Sequence, residues 1–243
     1  MPTDDGRILV IADGGLPALV ALLLAPEPES VIAWIPPAGA PPTDLPAGVI
    51  DGPRRAAVEA QADLLGLGGV EIGRWPGAGW EPPGSPGSPG SPGSPGSPGS
   101  PGSPGSAQGE PPATLSLDWM LLLAIDDARR LGCPTIAWPA AFGDDLSGLA
   151  AGADRVRLFT RLAGLSGSDG ATLKAPLADL TDAQVADLAL DLDAPLDTLW
   201  WRGGRAESGG EAGEARLRWE AALAEANRDR GVLVEDSIGL RVR

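Results

Sequence analysis

The chain opens with an apolar run that predicts a buried strand. Residues 8–12 are all hydrophobic, with the sequence ILVIA. A short run of this kind, bounded by turn residues, is typical of a strand covered on both faces. Asp13, Gly14 and Gly15 then turn the chain, and Pro17 leads into a long apolar stretch. Because proline lacks the N–H that a first helical turn leaves unbonded, Pro17 indicates the first position of a helix.

Apolar runs and amphipathic segments alternate along the rest of the chain. After 8–12, the predicted strands are 30–36, 69–75 and 134–138, and an apolar segment at 173–177 leads into a further helix. The predicted helices after the first are 53–67, 117–131, 154–163, 181–192 and 214–230, followed by an apolar tail at 232–234. Strands separated by helices form parallel sheets with right-handed crossovers. We therefore predict an α/β fold with a Rossmann-like parallel sheet of five strands and helices on both faces.

A low-complexity segment interrupts this pattern. Residues 83–106 are an uninterrupted Pro-Gly-Ser repeat. Glycine at every third place formally matches a collagen triplet, but a triple helix needs three chains, so we interpret the repeat as a disordered, polyproline-like insertion. The predicted organisation is a first part of the α/β domain at 1–80, the insertion at 81–112, a second part of the same domain at 113–200, and a C-terminal helical segment at 201–243.

The composition excludes several classes of function. The 243 residues include 33 acidic and 18 basic side chains, a formal charge of −15, and such a surface repels phosphate backbones, so we expect no binding to nucleic acid. Histidine is absent, which excludes Ser-His-Asp and Cys-His catalysis and His-ligated metals. The one cysteine, Cys133, has no partner for an internal disulfide.

The first residues suggest a cytoplasmic protein. Residues 1–6 are acidic rather than basic, and the first apolar stretch is broken by Asp13 and Pro17, so neither a signal peptide nor a membrane span is predicted. A small molecule or a protein is the expected kind of partner, and a homodimer stays open as an alternative.

Three segments of the chain resemble one known family. They are residues 7–25, 131–149 and 173–201, and the last contains the progression Pro176-Leu177, Asp179-Leu180-Thr181, Pro195-Leu196 and Thr198-Leu199-Trp200. On these segments the chain resembles the 7-cyano-7-deazaguanine (preQ0) synthase family, a branch of the PP-loop ATP pyrophosphatases, as a degenerate member. The resemblance implies an adenine nucleotide alpha-hydrolase-like fold, ATP as cosubstrate, and a structural zinc on four cysteines.

The phosphate loop of that family reads Ser-Gly-Gly-x-Asp-Ser, and here the matching residues are Asp13, Gly14, Gly15, Leu16, Pro17 and Ala18. The resemblance implies that Asp13, Gly14, Gly15 and Asp145 are remnants of a nucleotide site. An ionised Asp13 at ~4 Å from a phosphate repels it by about 4 kcal/mol at an effective dielectric of ~20. Our hypothesis is that Asp13 caps the helix and occupies the anion site itself. The alternative is an ordinary strand–turn–helix with an Asp N-cap that binds no ligand.

The resemblance also locates the family's zinc and substrate groups on this chain. The four zinc cysteines fall at Trp201, Gly209, Ala212 and Ala215, and none of these side chains can ligate a metal. We interpret Trp201 as filling that space with apolar volume. Asp182 replaces the family's basic residue in the helix after Thr181. We therefore expect no catalytic residues, no metal ligands, and neither ATP nor zinc as a cofactor.

Other candidate residues have two interpretations each. Arg54 and Arg55 are either a solvated helix start or a remnant anion contact. Asp144 and Asp145 are either a solvated loop, shared with Ser147 and Gly148, or an acid–base or metal pair. Several tryptophans either pack in the core or line a base-binding pocket, namely Trp34, Trp75, Trp138, Trp200 and Trp201.

Three functions follow from these observations. The first is a degenerate relative of the synthase without catalysis, kept as a binding or scaffold protein. The second is an active enzyme with relocated catalytic groups, which would be an ATP-dependent C–N ligase in queuosine or deazapurine biosynthesis. The third is a structural or interaction protein that uses the Pro-Gly-Ser repeat. The first is favoured because each catalytic feature fails independently while the signals of the fold persist.

Overall fold

One sheet of five parallel strands organises the protein. The structure, a computed structural model, describes residues 6–37, 52–73, 113–165, 170–202 and 210–239. The strands are β1 (Ile8–Ile11), β2 (Val31–Ile35), β3 (Gly69–Ile72), β4 (Thr135–Ala137) and β5 (Thr172–Lys174). Their order in the sheet is β3-β2-β1-β4-β5, and every pair is parallel. The predicted five-stranded parallel sheet is confirmed, and its strand order reverses direction at β1. The Pro-Gly-Ser repeat and Trp75 lie outside the described residues.

Six α-helices in the described ranges connect or follow these strands. They are α1 (Leu16–Leu23), α2 (Gly52–Leu65), α3 (Ala113–Leu131), α4 (Leu146–Gly164), α5 (Asp182–Asp191) and α6 (Glu211–Gly239). Short 3-10 turns lie at Pro28–Ser30 and Leu196–Thr198. A search of the described part of the chain finds no helix with the length and hydropathy needed to cross a bilayer.

Successive side chains of β1 pack against helices on opposite faces of the sheet. Leu9 and Ile11 belong to a cluster with α3 and α4, which includes Met120 and Phe159. Val10 and Ala12 belong to a second cluster with α1 and α2, which includes Leu22 and Val58. Because successive side chains of a strand point to opposite faces, a fully apolar β1 requires a helical layer on each face. The prediction of helices on both faces is confirmed.

Helix α4 is longer than predicted. The sequence indicates a helix over 154–163 with Ser147 and Gly148 in a loop, whereas the helix spans Leu146–Gly164 and contains both residues. Glycine lowers helix propensity, so propensity alone does not predict the first two turns of α4, which contain Gly148 and Gly152. The structure uses both glycines for close packing, since a Cβ at Gly152 would clash with the ring of Phe142, and a Cβ at Gly148 would lie 2.5 Å from Asp145 Oδ2 and 3.0 Å from that ring.

Helix α6 packs on α5 and is also longer than predicted. It spans Glu211–Gly239, so the predicted tail at 232–234 is helical backbone. The Arg230 Nε donates to Asp187 Oδ1 at 2.7 Å, and Nη2 donates to Asp191 Oδ1 at 2.5 Å. The hydrogen bond to Asp187, supported by the charges of both carboxylates, raises the pKa of Arg230 above its ordinary value. This arginine therefore ties the later part of α6 to α5.

A capping box starts α5. The Gln184 N–H donates to Thr181 Oγ1 at 3.3 Å, and the Thr181 N–H donates to Gln184 Oε1 at 2.8 Å. Both orphan donors at the start of the helix are thereby satisfied. These two bonds fix the start of α5 at Asp182, and α5 packs against α6.

A polar network with a buried centre joins two neighbouring strands to α3. Trp34 and Asp127 are buried, and Trp34 Nε1 donates to Asp127 Oδ2 at 2.8 Å. Arg130 Nη2 donates to Asp127 Oδ1 at 2.9 Å and to Glu71 Oε1 at 2.6 Å. Hydrogen bonds to Asp127 and then to Glu71 raise the pKa of Arg130 above its ordinary value. The network fixes the position of α3 against β2 and β3.

Candidate functional site

The turn after β1 holds its own carboxylate. Asp13 Oδ1 accepts the Gly15 N–H at 2.8 Å. The N-cap of α1 is Gly15, with φ −82° and ψ 173°, and no side chain caps it. The expectation that Asp13 is the N-cap is therefore wrong. Asp13 lies two residues before the N-cap, and its side chain accepts the N–H of that residue within the turn. Pro17 is the second helical residue rather than the first, because α1 begins at Leu16.

Gly14 is packed from behind rather than presented to a ligand. Its φ is +77°, a conformation that side-chain-bearing residues rarely adopt. A Cβ there would lie 3.0 Å from both the Ala57 Cβ and the Arg54 carbonyl oxygen. The Gly14 carbonyl accepts the Trp200 N–H at 3.3 Å and the Gln61 side-chain N–H at 3.3 Å. Gly14 therefore serves the packing of α2 and Trp200 against the turn.

Arg54 is part of this packing, so the interpretation of it as a solvated residue is wrong. Its exposed fraction is 1%, and its Nη2 donates to Glu211 Oε1 in an ion pair. The guanidinium carbon also lies 4.2 Å from the ring centroid of Trp200. Arg55 does lie on the surface, where its Nε pairs with Glu59 at 2.8 Å. The charge of Arg54 is thus used to fasten α2 to the start of α6.

A cavity of about 270 Å³, called here the β1 cavity, opens between this turn and α6. Three indole rings, two carboxylates and one guanidinium form most of its wall. The described lining residues are Asp13, Gly15, Pro17, Trp200, Trp201, Glu214, Ala215, Arg218 and Trp219. Ligands of open α/β sheets bind outside the carboxyl ends of the strands near the change in strand order, which is where this cavity lies.

Asp145 does not belong to the described lining of the β1 cavity. It is the N-cap of α4, where its Oδ1 accepts the Ser147 N–H at 3.1 Å. Of the four residues predicted to bind a nucleotide, Asp13 and Gly15 therefore line the cavity, Gly14 lies behind it, and Asp145 caps a helix. Capping accounts for the Asp145 carboxylate without a ligand.

Arg218 and Trp219 are wall residues that the sequence analysis did not single out. Arg218 Nε donates to Asp182 Oδ2 at 2.6 Å, and Nη2 donates to Asp182 Oδ1 at 2.7 Å. The guanidinium carbon lies 4.9 Å from the ring centroid of Trp219. The buried positions Ala215, Trp219 and Ala222 repeat at helical spacing, and this signal could have indicated that the face with Trp219 points inward.

The positions assigned to zinc cysteines converge in an apolar environment. Trp201 and Ala215 are buried in one hydrophobic cluster, and Ala212 packs against it. Gly209 lies outside the described residues. These side chains offer no sulfur, nitrogen lone pair or carboxylate, so they do not fit a zinc ion. The described ranges also contain no group of three acidic or cysteine side chains that could hold a metal.

A chelator is therefore expected to leave the fold around Trp201 intact. Because the wall is held by apolar packing, excess EDTA should not change the near-UV circular dichroism of the tryptophans. Elemental analysis after dialysis should find less than stoichiometric zinc. A loss of the near-UV signal on chelation, or one bound zinc per chain, would contradict this expectation.

Cys133 is a buried thiol in the hydrophobic cluster that contains α3 and α4. It has 2% of its surface exposed and packs with α3 and β4. Burial raises the pKa of the Cys133 thiol, with a smaller opposing effect from Arg7. The thiolate is the nucleophilic form of cysteine, so this environment disfavours a catalytic role.

Comparisons with known proteins give little sequence similarity. No family model matches the chain, and no curated protein matches it. Among solved structures, the protein is similar to the U34-tRNA thiolase NcsA from Methanococcus maripaludis, determined with its [4Fe-4S] cluster. The identity is 13%, the TM-score is 0.48, and the match covers 96% of this chain and 74% of the thiolase chain.

Proposed function

We propose that the protein is a non-catalytic small-molecule-binding protein, a degenerate relative of the 7-cyano-7-deazaguanine synthases. The observation that carries the proposal is the hydrogen bond from the Gly15 N–H to Asp13 Oδ1 at 2.8 Å. A backbone donor that would otherwise face a phosphate is occupied by a carboxylate of the same turn. The turn thus keeps its structural role, and its backbone donor binds the carboxylate of Asp13 in place of an external anion.

The cations around the β1 cavity support this proposal. Arg54 is paired with Glu211, and Arg218 is paired with Asp182. Stabilising a transferring phosphoryl or adenylyl group requires positive groups aimed at it. Because the wall guanidinium of Arg218 and the guanidinium of Arg54 over Trp200 both already contact carboxylates, the wall is poorly suited to a nucleotide tail. ATP is therefore not the proposed ligand.

The apolar packing at the former metal positions supports the proposed origin. If the resemblance to the synthases is correct, the positions 201, 212 and 215 should lie together. Trp201 and Ala215 belong to one hydrophobic cluster, which also includes residues of α1 and α5, and Ala212 packs against it. A tryptophan in that place supplies volume, and we propose that it replaces the stabilising role of zinc.

The size of the β1 cavity favours a small ligand. Its volume of about 270 Å³ is near the lower end of small-molecule sites, which run from about 300 to 1,000 Å³. The formal charge of −15 disfavours nucleic acid as an alternative partner. We propose a cytoplasmic binding protein for a compact metabolite, and a protein partner or a homodimer stays as the alternative.

Calorimetric titration with ATP and Mg²⁺ tests the proposal. We expect no binding with micromolar Kd and no ATP hydrolysis. Asp13→Asn keeps an acceptor for the Gly15 N–H and removes the charge, so any millimolar ATP binding should tighten by about tenfold, which corresponds to about 1.4 kcal/mol. Glu225→Gln removes the same charge from an exposed position of α6 and is the matched control. Micromolar ATP affinity of the unmodified protein would overturn the proposal.

A further inference from the structure

We propose that two copies of this chain associate through α4, with the two helices antiparallel about a two-fold axis near Leu158. The surface involved, called here the outer face of α4, consists of Ala150, Ala151, Asp154, Leu158, Arg161, Leu162 and Leu165, all of which are exposed. The inference goes beyond the proposed function, because α4 contributes no described residue to the wall of the β1 cavity.

The outer face of α4 is apolar where a surface helix is ordinarily polar. Phe159 and Ala163 bury the inner face of the helix in the cluster with α3. On the other side, the exposed fractions are 54% for Leu158, 37% for Leu162 and 82% for Leu165. Spacings of four and three residues place these leucines on one stripe. Single exposed leucines are ordinary, whereas a continuous apolar stripe marks an interaction surface.

The spacing along the outer face matches that of a paired helix. Ala151, Leu158 and Leu165 recur every seven residues, and so do Asp154 and Arg161. Seven residues make two turns, so side chains at this spacing stay directed at a second helix that crosses at about 20°. The occupant that fits the stripe is therefore another helix.

The charges identify that helix as α4 of a second copy and fix its direction. Asp154 and Arg161 lie about 10 Å apart along the helix axis, on either side of Leu158. A two-fold axis near Leu158 brings Asp154 of each copy beside Arg161 of the other, so the surface is complementary to itself. A parallel pair would place like charges together. Exposed ion pairs add little affinity, but they select the orientation.

Both charges are available for such a contact. Arg161 is exposed, and no hydrogen bond or ion pair to it occurs among the described residues. Asp154 pairs with Arg157 at 3.4 Å, and the two side chains are 78% and 74% exposed. A pair of this kind is worth little in water and is readily exchanged. Arg155, by contrast, is held by Asp118 at 3.0 Å.

The sizes of the side chains fit the same antiparallel arrangement. Small residues, Ala150 and Ala151, lie at one end of the outer face, and Leu165 lies at the other. The two-fold axis places Leu165 of each copy over the alanines of the other. The contact extends about 22 Å along one helix pair, which is small beside interfaces that bury about 1,200–2,000 Å². The formal charge of −15 on each copy also opposes association, so we expect a weak dimer with micromolar Kd.

Sedimentation velocity of the full chain over the micromolar range tests the inference. We expect a monomer–dimer equilibrium that depends on concentration. Leu158→Glu places two carboxylates at the axis and should weaken the dimer by at least tenfold. Leu64→Glu, at a leucine of α2 that is 63% exposed, is the matched control and should leave the dimer unchanged. Circular dichroism checks that both variants are folded. A monomer throughout the range would overturn the inference in favour of a different partner, and equal effects of the two variants would overturn the assignment to α4.

Exchanging the charges tests the antiparallel ion pairs. Asp154→Arg and Arg161→Asp should each weaken the homodimer about tenfold, because each change turns two attractive contacts into repulsive ones. An equimolar mixture of the two variants should associate again, since every contact then joins opposite charges. Failure of the mixture to associate, or an unchanged homodimer in either variant, would overturn the pairing. The ATP titration depends on neither α4 nor the oligomeric state, so the proposed function is tested separately.

Discussion

Replacing Asp127 by alanine is expected to lower the free energy of unfolding by about 3 kcal/mol. The substitution leaves the Trp34 N–H without the acceptor at 2.8 Å, in a ring that is 0% exposed. Loss of a hydrogen bond to a charged group costs about 1.5–3 kcal/mol, and a small cavity adds to it. Urea denaturation followed by tryptophan fluorescence measures the change.

The adjacent acid provides the control for this substitution. Asp126 lies on the same helix and is exposed, so Asp126→Ala should change stability by less than about 0.5 kcal/mol. Asp127→Asn keeps an acceptor for Trp34 and should cost about 1 kcal/mol. In the Trp34→Phe background the cost of Asp127→Ala should shrink, because the donor is gone. Equal destabilisation by Asp126→Ala and Asp127→Ala would refute the role of the network.

Replacing Glu211 by glutamine is expected to destabilise the protein by about 2 kcal/mol. The change removes the carboxylate charge beside Arg54, whose side chain is 1% exposed. Breaking a fully buried ion pair costs about 3–5 kcal/mol. Since 31% of the Glu211 side chain is exposed, solvent reduces the expected loss. Thermal unfolding at several protein concentrations measures it.

An exposed ion pair on α2, the helix that carries Arg54, is the matched control. Arg55 and Glu59 are both about half exposed, and Glu59→Gln should change stability by less than about 0.5 kcal/mol. Arg54→Met together with Glu211→Gln should cost less than the sum of the two single changes, because the double change removes both charges of the pair. Additive effects in this double-mutant cycle would show that the two residues do not interact.

The regular elements were predictable because they follow from local pattern. The apolar run of β1 needs both faces covered, and Thr181 with Gln184 specifies the start of α5 through contacts within one helical turn. The early start of α4 was not predictable in this way. Gly148 and Gly152 reduce helix propensity, and the ring of Phe142 that explains them reaches the helix only after folding.

The contacts that define the site join residues far apart in sequence. The same holds on the other face of the sheet, where Asp126 and Asp127 are adjacent acids and Asp127 bonds Trp34, 93 positions away, as well as Arg130. Arg54 and Glu211 are separated by 157 positions. The sequence indicated an acidic turn after β1 but not the direction of the Asp13 side chain. It also did not indicate that α6 would bring Arg218 and Trp219 to that turn.

Five of the described tryptophans are divided between two hydrophobic clusters, and this has a consequence for spectroscopy. The chain has eight tryptophans and no tyrosine, so its intrinsic emission comes almost entirely from indole. Trp34 and Trp138 report on the layer of α3 and α4, whereas Trp200, Trp201 and Trp219 report on the layer of α6. Of these five, a quencher held in the β1 cavity would dim the latter group, and the former would serve as an internal reference in the same cuvette.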